Sequence, residues 1–310
     1  YYGARNFLAV PGTQSAIQVI PECLGQFESK VPVFLPSLGY QEHEKSWRIA
    51  AQITYYDACD LEIATGQINH LLAVNSNQHL VVINPNNPSG QKFSACQLQQ
   101  WADRLTGGGH LIVDEAFIDT ASANSVLNQC LSENMIVLRS FGKFFGLAGI
   151  RVGFVFASQQ VLAFLRERIG PWSVNGPAQM IVTKACYDTE WQAAARIEID
   201  RAASLSRTLF SGLFERLSVT KYRHSDLFSS YWLKGDVAQS VFDFFARRGV
   251  LLRCVSVDED ETIVRVGRVN SESSHAVASL KDVIRQAERV FGEHDKLNGA
   301  ETTNLRKHNA

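Results

Sequence analysis

The sequence predicts an α/β protein, with a large domain whose mostly parallel central sheet is covered by helices, followed by a smaller C-terminal α+β domain. Three observations predict it. Through the first two thirds, short apolar, β-branched runs alternate with amphipathic stretches whose apolar positions recur every three or four residues. Such alternation favours crossover connections and a parallel sheet. After about residue 195 it gives way to one long helical stretch and several period-two runs. The 310 residues, 45% apolar and 20% charged, suffice for two globular cores.

In order, strands are expected over 7–10, 80–84, 110–114, 135–138 and 153–156, with helices over 94–104 and 159–168. Beyond them come a helix over 197–217, strands over 227–233, 250–255 and 262–266, and helices over 237–247 and 274–290. The expected division is a large domain over 1–194, a small one over 195–297 and a polar, aperiodic disordered tail over 298–310.

Composition excludes several classes. Thirty Lys and Arg against 31 Asp and Glu leave a net charge of -1, too balanced for a broad nucleic-acid or anionic-membrane footprint. No apolar run reaches the roughly 18 residues of a spanning helix, and no basic-then-apolar leader opens the chain, so a cytoplasmic protein is expected. The six scattered cysteines contain no C-x-x-C pair, which points to buried free thiols rather than a disulfide framework or a metal site. Glu42, His43 and Glu44 are contiguous and cannot converge on one ion from a helix, so they are expected on a solvated helix face and no metal is expected.

The densest chemistry lies in Ser140-Phe-Gly-Lys143-Phe-Phe-Gly146-Leu-Ala-Gly149-Ile-Arg151. A lysine at a strand end between Phe141 and Phe144 is expected to be partly desolvated, which frees its amine as a nucleophile or Schiff-base partner. Asp114 ends an apolar run, Asn84-Pro-Asn-Asn87-Pro-Ser-Gly90 follows another, and Gly12-Thr13-Gln14 leads from the first strand into a helix, where backbone N–H groups form an anion site. Taken singly these are weak signals, since Asn, Pro and Gly mark turns and a strand-end Asp is commonly a cap.

Together and in this order they resemble the fold type I pyridoxal-phosphate enzymes, the aspartate aminotransferase superfamily. That resemblance implies pyridoxal 5'-phosphate as cofactor, bonded by Lys143, with its phosphate held by Ser140, Arg151 and the turn of Gly12, Thr13 and Gln14. It further implies that Asp114 pairs with the pyridine nitrogen, Asn87 bonds the phenolic oxygen and Tyr40 stacks on the ring. In the small domain, Ile263-Val-Arg265-Val-Gly267 resembles the strand whose Arg clamps the substrate carboxylate. Arg253, with Asn175, then falls to a substrate phosphate; for either arginine alone, a surface ion pair is the ordinary role.

Within the superfamily, Phe117 and Gly142 depart from the histidinol-phosphate aminotransferase pattern of Tyr and Ser. With Tyr40-x-Glu-His43-x-x-x-Trp47 and Pro171-Trp-Ser-Val-Asn175, they resemble the threonine-phosphate decarboxylases of cobalamin biosynthesis. The implied reaction turns L-threonine O-3-phosphate, a small phosphorylated amino acid, into (R)-1-amino-2-propanol phosphate and CO2 in a homodimer. A histidinol-phosphate-type aminotransferase using 2-oxoglutarate is the alternative. Because the first expected strand begins within six residues of Tyr1, the N-terminal arm of such enzymes is expected to be missing, and a truncated cofactor-binding relative without turnover is a third reading.

Overall fold

The computed structural model describes residues 1–3, 6–27, 31–217 and 219–305, with the side chains of 27 and 293–305 excepted. The chain divides into two compact units, Tyr1–Gln192 and Ala193–Ala310.

In the first unit the elements run β1 (Phe7–Val10), α1 (Thr13–Phe27), β2 (Val33–Pro36), α2 (Gln41–Trp47), β3 (Ile53–Tyr56), α3 (Leu61–Val74), β4 (His79–Ile83) and α4 (Ala95–Arg104). They continue with β5 (Leu111–Asp114), β6 (Met135–Ser140), β7 (Gly153–Phe156), α5 (Gln159–Ile169) and α6 (Gly176–Tyr187). Among the described residues seven strands form one sheet in the order β1-β7-β6-β5-β4-β2-β3. Its pairings are parallel except at β7, which runs against both β1 and β6. The C-terminal ends of the parallel strands and the start of β7 therefore share one edge, the place where open α/β sheets bind ligands.

Strand alternation sorts the core. Val81, Ile112 and Ile136 pack in one cluster with Ile17, Ile20 and Leu24 of α1 and Leu162 and Leu165 of α5. Their neighbours Leu80, Val82, Leu111 and Val113 are equally buried but point to the opposite face, and α3 packs against β3 with α4 beside it. Both faces are covered, so the central strands read as continuous apolar runs. Helix starts follow local chemistry: Ser94 accepts from the Gln97 N–H and Asp60 from the N–H groups of Glu62 and Ile63.

The second unit continues from α7 (Thr189–Arg216), which begins eight residues before the expected 197, into β8 (Lys221–His224), β9 (Phe228–Lys234), α8 (Gly235–Ala246), β10 (Arg253–Ser256), β11 (Glu261–Gly267) and α9 (Ser274–Leu305). Four of these strands form an antiparallel sheet in the order β10-β11-β9-β8. Tyr231, Leu233, Val264 and Val266 pack from it against Phe210, Phe214, Val241, Phe245 and Ile284 of the helices.

Several expectations need correction. Strands β2, β3 and β8 were absent from the sequence reading: β2 ends in Pro36, β3 carries Thr54 and two tyrosines rather than an aliphatic run, and β8 is polar. Of the tail expected over 298–310, residues 298–305 continue α9, where no proline interrupts the helix, and 306–310 lie outside the described residues. The cysteines are free, but Cys23 is the buried one; Cys96 and Cys130 are exposed. No described helix is long and apolar enough to cross a membrane.

A pair of histidines crosses the starts of β4 and β5. His79 Nδ1 accepts the His110 backbone N–H at 3.2 Å, and the His79 ring lies against Trp47. Burial, with His110 nearby, pushes His79 down to about 3, and burial also lowers His110. The unfolded chain takes up a proton near pH 6.5 that the folded His79 site refuses, so this stability is full above pH 6.5 and is lost as pH falls toward 3. Urea denaturation at pH 7.5 and pH 4.5 should show a loss on the order of a few kcal/mol. The H79N variant should lose distinctly less over the same interval; equal pH dependence would exclude His79 as the source.

Candidate active site

The shared sheet edge gathers the predicted residues. One cavity of about 180 Å³ is lined by Gly12, Thr13 and Gln14 after β1, Tyr40 after β2, Asn87 after β4, Asp114 at the end of β5, Ser140 and Lys143 after β6, and Arg151 before β7. All nine residues assigned to the cofactor by resemblance thus fall in one place, joined by Phe117.

Its anion-binding corner is built on backbone conformation. Gly12 has φ +82°, and a Cβ there would stand 2.5 Å from Arg151 Nη2. A Cβ on Gly153 would stand 2.7 Å from the Thr13 backbone nitrogen. These glycines let the β1–α1 turn close on the arginine. Arg151 itself holds the left-handed conformation, φ 55° and ψ 60°, which typically costs on the order of 1–3 kcal/mol in a non-glycine residue. The turn opens α1, whose first N–H groups have no partner within the helix. A guanidinium, a hydroxyl and free helix N–H groups around one concavity are the donor set of a phosphate.

The opposite wall carries a buried acid. Asp114 is 3% exposed; its Oδ2 lies 3.0 Å from His43 Nε2, and its Oδ1 accepts the Ala116 N–H at 3.0 Å. An ionised carboxylate only accepts, so the imidazole donates in this pair. His43 is also 3% exposed, which overturns the solvated-face expectation. It shares the inner face of α2 with buried Trp47 four residues on, while Glu42 and Glu44 turn outward to Lys45 and Arg48. The i, i+4 spacing of His43 and Trp47 was the available signal. Glu42 also reaches Gln14, whose Nε2 donates to Oε2 at 3.2 Å.

Tyr40 precedes α2, with its ring 6.4 Å from His43 and nearly perpendicular to it. Burial, then Glu42 and Asp114, push its phenol above the ordinary range. Lys143 is exposed, not partly desolvated as its neighbours suggested. Phe141 and Phe144 turn into the core, and the Lys143 ammonium sits 5.2 Å from the Phe117 ring centroid.

Three predicted substrate residues are not in this cavity. The Asn175 side-chain oxygen accepts the Ala178 N–H at 2.9 Å and so caps α6. Arg253 and Arg265 belong to the second unit, directly opposite each other across β10 and β11. The Arg265 guanidinium lies 5.4 Å from the Phe228 ring centroid, and burial with Arg253 lowers its pKa. Among the described residues no three His, Cys, Asp or Glu side chains gather as a metal set.

Sequence reasoning missed the buried cluster behind the site. Arg139 is 1% exposed; its Nη1 donates to Glu115 Oε2 at 2.9 Å and Ser125 Oγ at 2.7 Å, and its Nη2 donates to Asp119 Oδ1. Burial pushes the Glu115 carboxyl upward, whereas Asp119 and Glu115 outweigh burial at Arg139 and hold its charge. Removing one partner of such a pair typically costs about 3–5 kcal/mol.

The donor set fits pyridoxal 5'-phosphate: an amine, a buried carboxylate and a phosphate corner in one cavity. Substituting His43 by Leu should leave Asp114 buried without its imidazole donor. A stability loss of about 1–3 kcal/mol in urea denaturation is expected, together with weaker binding of the cofactor by fluorescence titration. Unchanged cofactor binding would remove His43 from the site.

Comparison with known proteins identifies the family. The sequence model of "Aminotransferase class I and II" matches residues 2–276. A threonine-phosphate decarboxylase of Pseudomonas aeruginosa is 37% identical over 254 residues, 82% of this chain and 71% of the relative. A threonine-phosphate decarboxylase of a Sinorhizobium species is 38% identical over 224 residues, 71% of this chain but only 63% of the relative. A solved histidinol-phosphate aminotransferase of Sinorhizobium meliloti, in complex with pyridoxal-5'-phosphate, shares the fold with a TM-score of 0.72 at 19% identity, over 91% of this chain and 77% of that one. From the family match and these relatives, the chain belongs to the aminotransferase class I and II family.

Proposed function

We propose that this protein is a pyridoxal-phosphate-dependent decarboxylase of L-threonine O-3-phosphate, releasing CO2 and (R)-1-amino-2-propanol phosphate for cobalamin biosynthesis. The observation that carries the choice of substrate is the opposed pair Arg253 and Arg265. Like charges directly opposite on neighbouring strands destabilise a sheet, and a ligand with both a carboxylate and a phosphate relieves that repulsion. The relatives of 37% and 38% identity, both named threonine-phosphate decarboxylases, support the same reading.

In this reading the cofactor phosphate is held by Arg151, Ser140 and the Gly12–Thr13–Gln14 turn, and Asn87 and Tyr40 orient the ring. When bound, the cofactor serves as the electron sink for the α-carbon. Lys143 would supply the amine that anchors the cofactor and that an amino-acid substrate competes with. Asp114, fixed by His43, would be the acceptor for a protonated ring nitrogen of the cofactor. Arg265 grips the substrate carboxylate and Arg253 the phosphate, with Asn175 as a further phosphate contact, so that the bond to the carboxylate is the one presented for cleavage. The Lys143 ammonium would be the donor of the proton that replaces CO2 on the α-carbon. The reading includes a cytoplasmic setting and a homodimer.

Histidinol-phosphate-type transamination is the second reading, favoured by the relatives of that name at 30% identity and below. A product assay with pyridoxal phosphate and L-threonine O-3-phosphate, with and without 2-oxoglutarate, separates the two. Aminopropanol phosphate and CO2 formed without a keto acid are expected. Glutamate appearing only with 2-oxoglutarate would replace the decarboxylase by the aminotransferase, and bound cofactor with no turnover would leave a cofactor-binding relative. The K143A variant should lose turnover entirely; retained turnover would sink the assignment of Lys143.

A further inference from the structure

We propose that Arg139 is a positioning residue for the cofactor site, holding the ends of β5 and β6 at a fixed separation from behind. The inference rests on the cofactor reading above but not on which substrate is used. Asp114 is in register with Leu138, and Ser140 lies two residues further along β6, so all three share one face of the sheet. Glu115 and Arg139, each one residue out of step, share the other face and form the buried ion pair. The residues that line the cavity and the residues that tie the strands together are therefore adjacent in sequence and opposite in direction.

The tie reaches further than the two strands. Glu115 Oε1 accepts the Val126 N–H at 2.8 Å, Ser125 Oγ donates to Glu115 Oε2 at 2.5 Å, and Arg139 holds Asp119 between them. Both ends of segment 115–126 are pinned, and that segment carries Ala116 and Phe117 on the cavity wall. The Tyr2 ring covers the guanidinium at 4.7 Å, and the Tyr1 hydroxyl donates to Asp119 Oδ1 at 3.3 Å. None of Glu115, Asp119, Ser125 and Tyr2 lines the cavity, so Arg139 acts through the backbone of its partners.

Two variants of the full chain test this. R139K keeps the charge but loses the planar fork that spans Glu115 and Asp119, and D119N keeps the shape of the cluster and removes one charge. The apoproteins are titrated with pyridoxal phosphate by fluorescence, and the pH midpoint of the visible band of each holoprotein is measured beside the apo melting temperature. R139K should bind the cofactor roughly tenfold more weakly, as expected for misplaced site groups, with D119N between it and wild type and the band midpoint shifted in both. Folded variants that bind with the wild-type Kd and an unmoved midpoint, while melting earlier, would overturn the proposal by reducing Arg139 to a structural role. If R139K does not fold, D119N decides by the same criterion. A wild-type chain that binds no pyridoxal phosphate would refute the cofactor reading and this proposal together, whereas wild-type binding with unaffected variants refutes this proposal alone.

Discussion

The site depends on the period-two alternation of two parallel strands at their C-terminal ends. At Asp114 and Ser140 it turns polar side chains toward the cavity, and at Glu115 and Arg139 it turns charges into the interior behind. A one-residue slip of β6 against β5 would exchange these sets, burying Ser140 and thrusting a guanidinium at the cavity. The buried cluster opposes that slip, because Glu115 and Asp119 meet Arg139 in one register and would be left as uncompensated interior charges once it turned to the cavity.

The same edge explains why the remaining site residues converge although they span 140 positions of sequence. The parallel strands deliver their C-terminal turns to it, while antiparallel β7 delivers its start, so Arg151 arrives from the opposite chain direction to meet Gly12. Charge follows the same geometry. The cavity holds the cationic corner at Arg151 and α1 together with the Asp114–His43 pair, which suits a ligand with an anionic end and a ring nitrogen able to hold a proton.

Much of this was legible in the sequence, and the boundary of legibility is physical. The nine cavity residues sit in turns whose chemistry is local: glycines with special backbone geometry, a strand-end acid, a strand-end lysine. Local patterns survive in a one-dimensional reading. His43 was misread because its meaning lies in a contact 71 residues away, and contiguous Glu42 and Glu44 made the helix look uniformly solvated. Glu115, Asp119 and Arg139 passed unremarked for a related reason, since a charge appears in sequence as a surface residue until its partners are brought to it. Strand β2 ends in proline and β3 turns two tyrosines along its four residues, so neither stands out as an apolar run the way the equally short β5 and β7 do. The exposure of Lys143 was misjudged because flanking aromatics need not face the residue between them, and on this turn Phe141 and Phe144 face the core.

Two arginine arrangements in the chain carry a cost in stability. Arg151 is held in a left-handed conformation beside a turn that only glycine allows, and Arg253 stands directly opposite Arg265. Each arrangement raises the free energy of the empty protein, the first by backbone strain and the second by like-charge proximity in a partly buried setting. An anion near the Arg253–Arg265 pair would offset the second cost, whereas the strain at Arg151 is the fixed cost of presenting its guanidinium beside the β1–α1 turn. Interior ion clusters such as that of Arg139 work the other way, neutralising charge within the protein and leaving nothing for a ligand to gain. The chain thus places self-neutralised charge behind the strand ends, one residue out of step with the polar side chains that line the cavity.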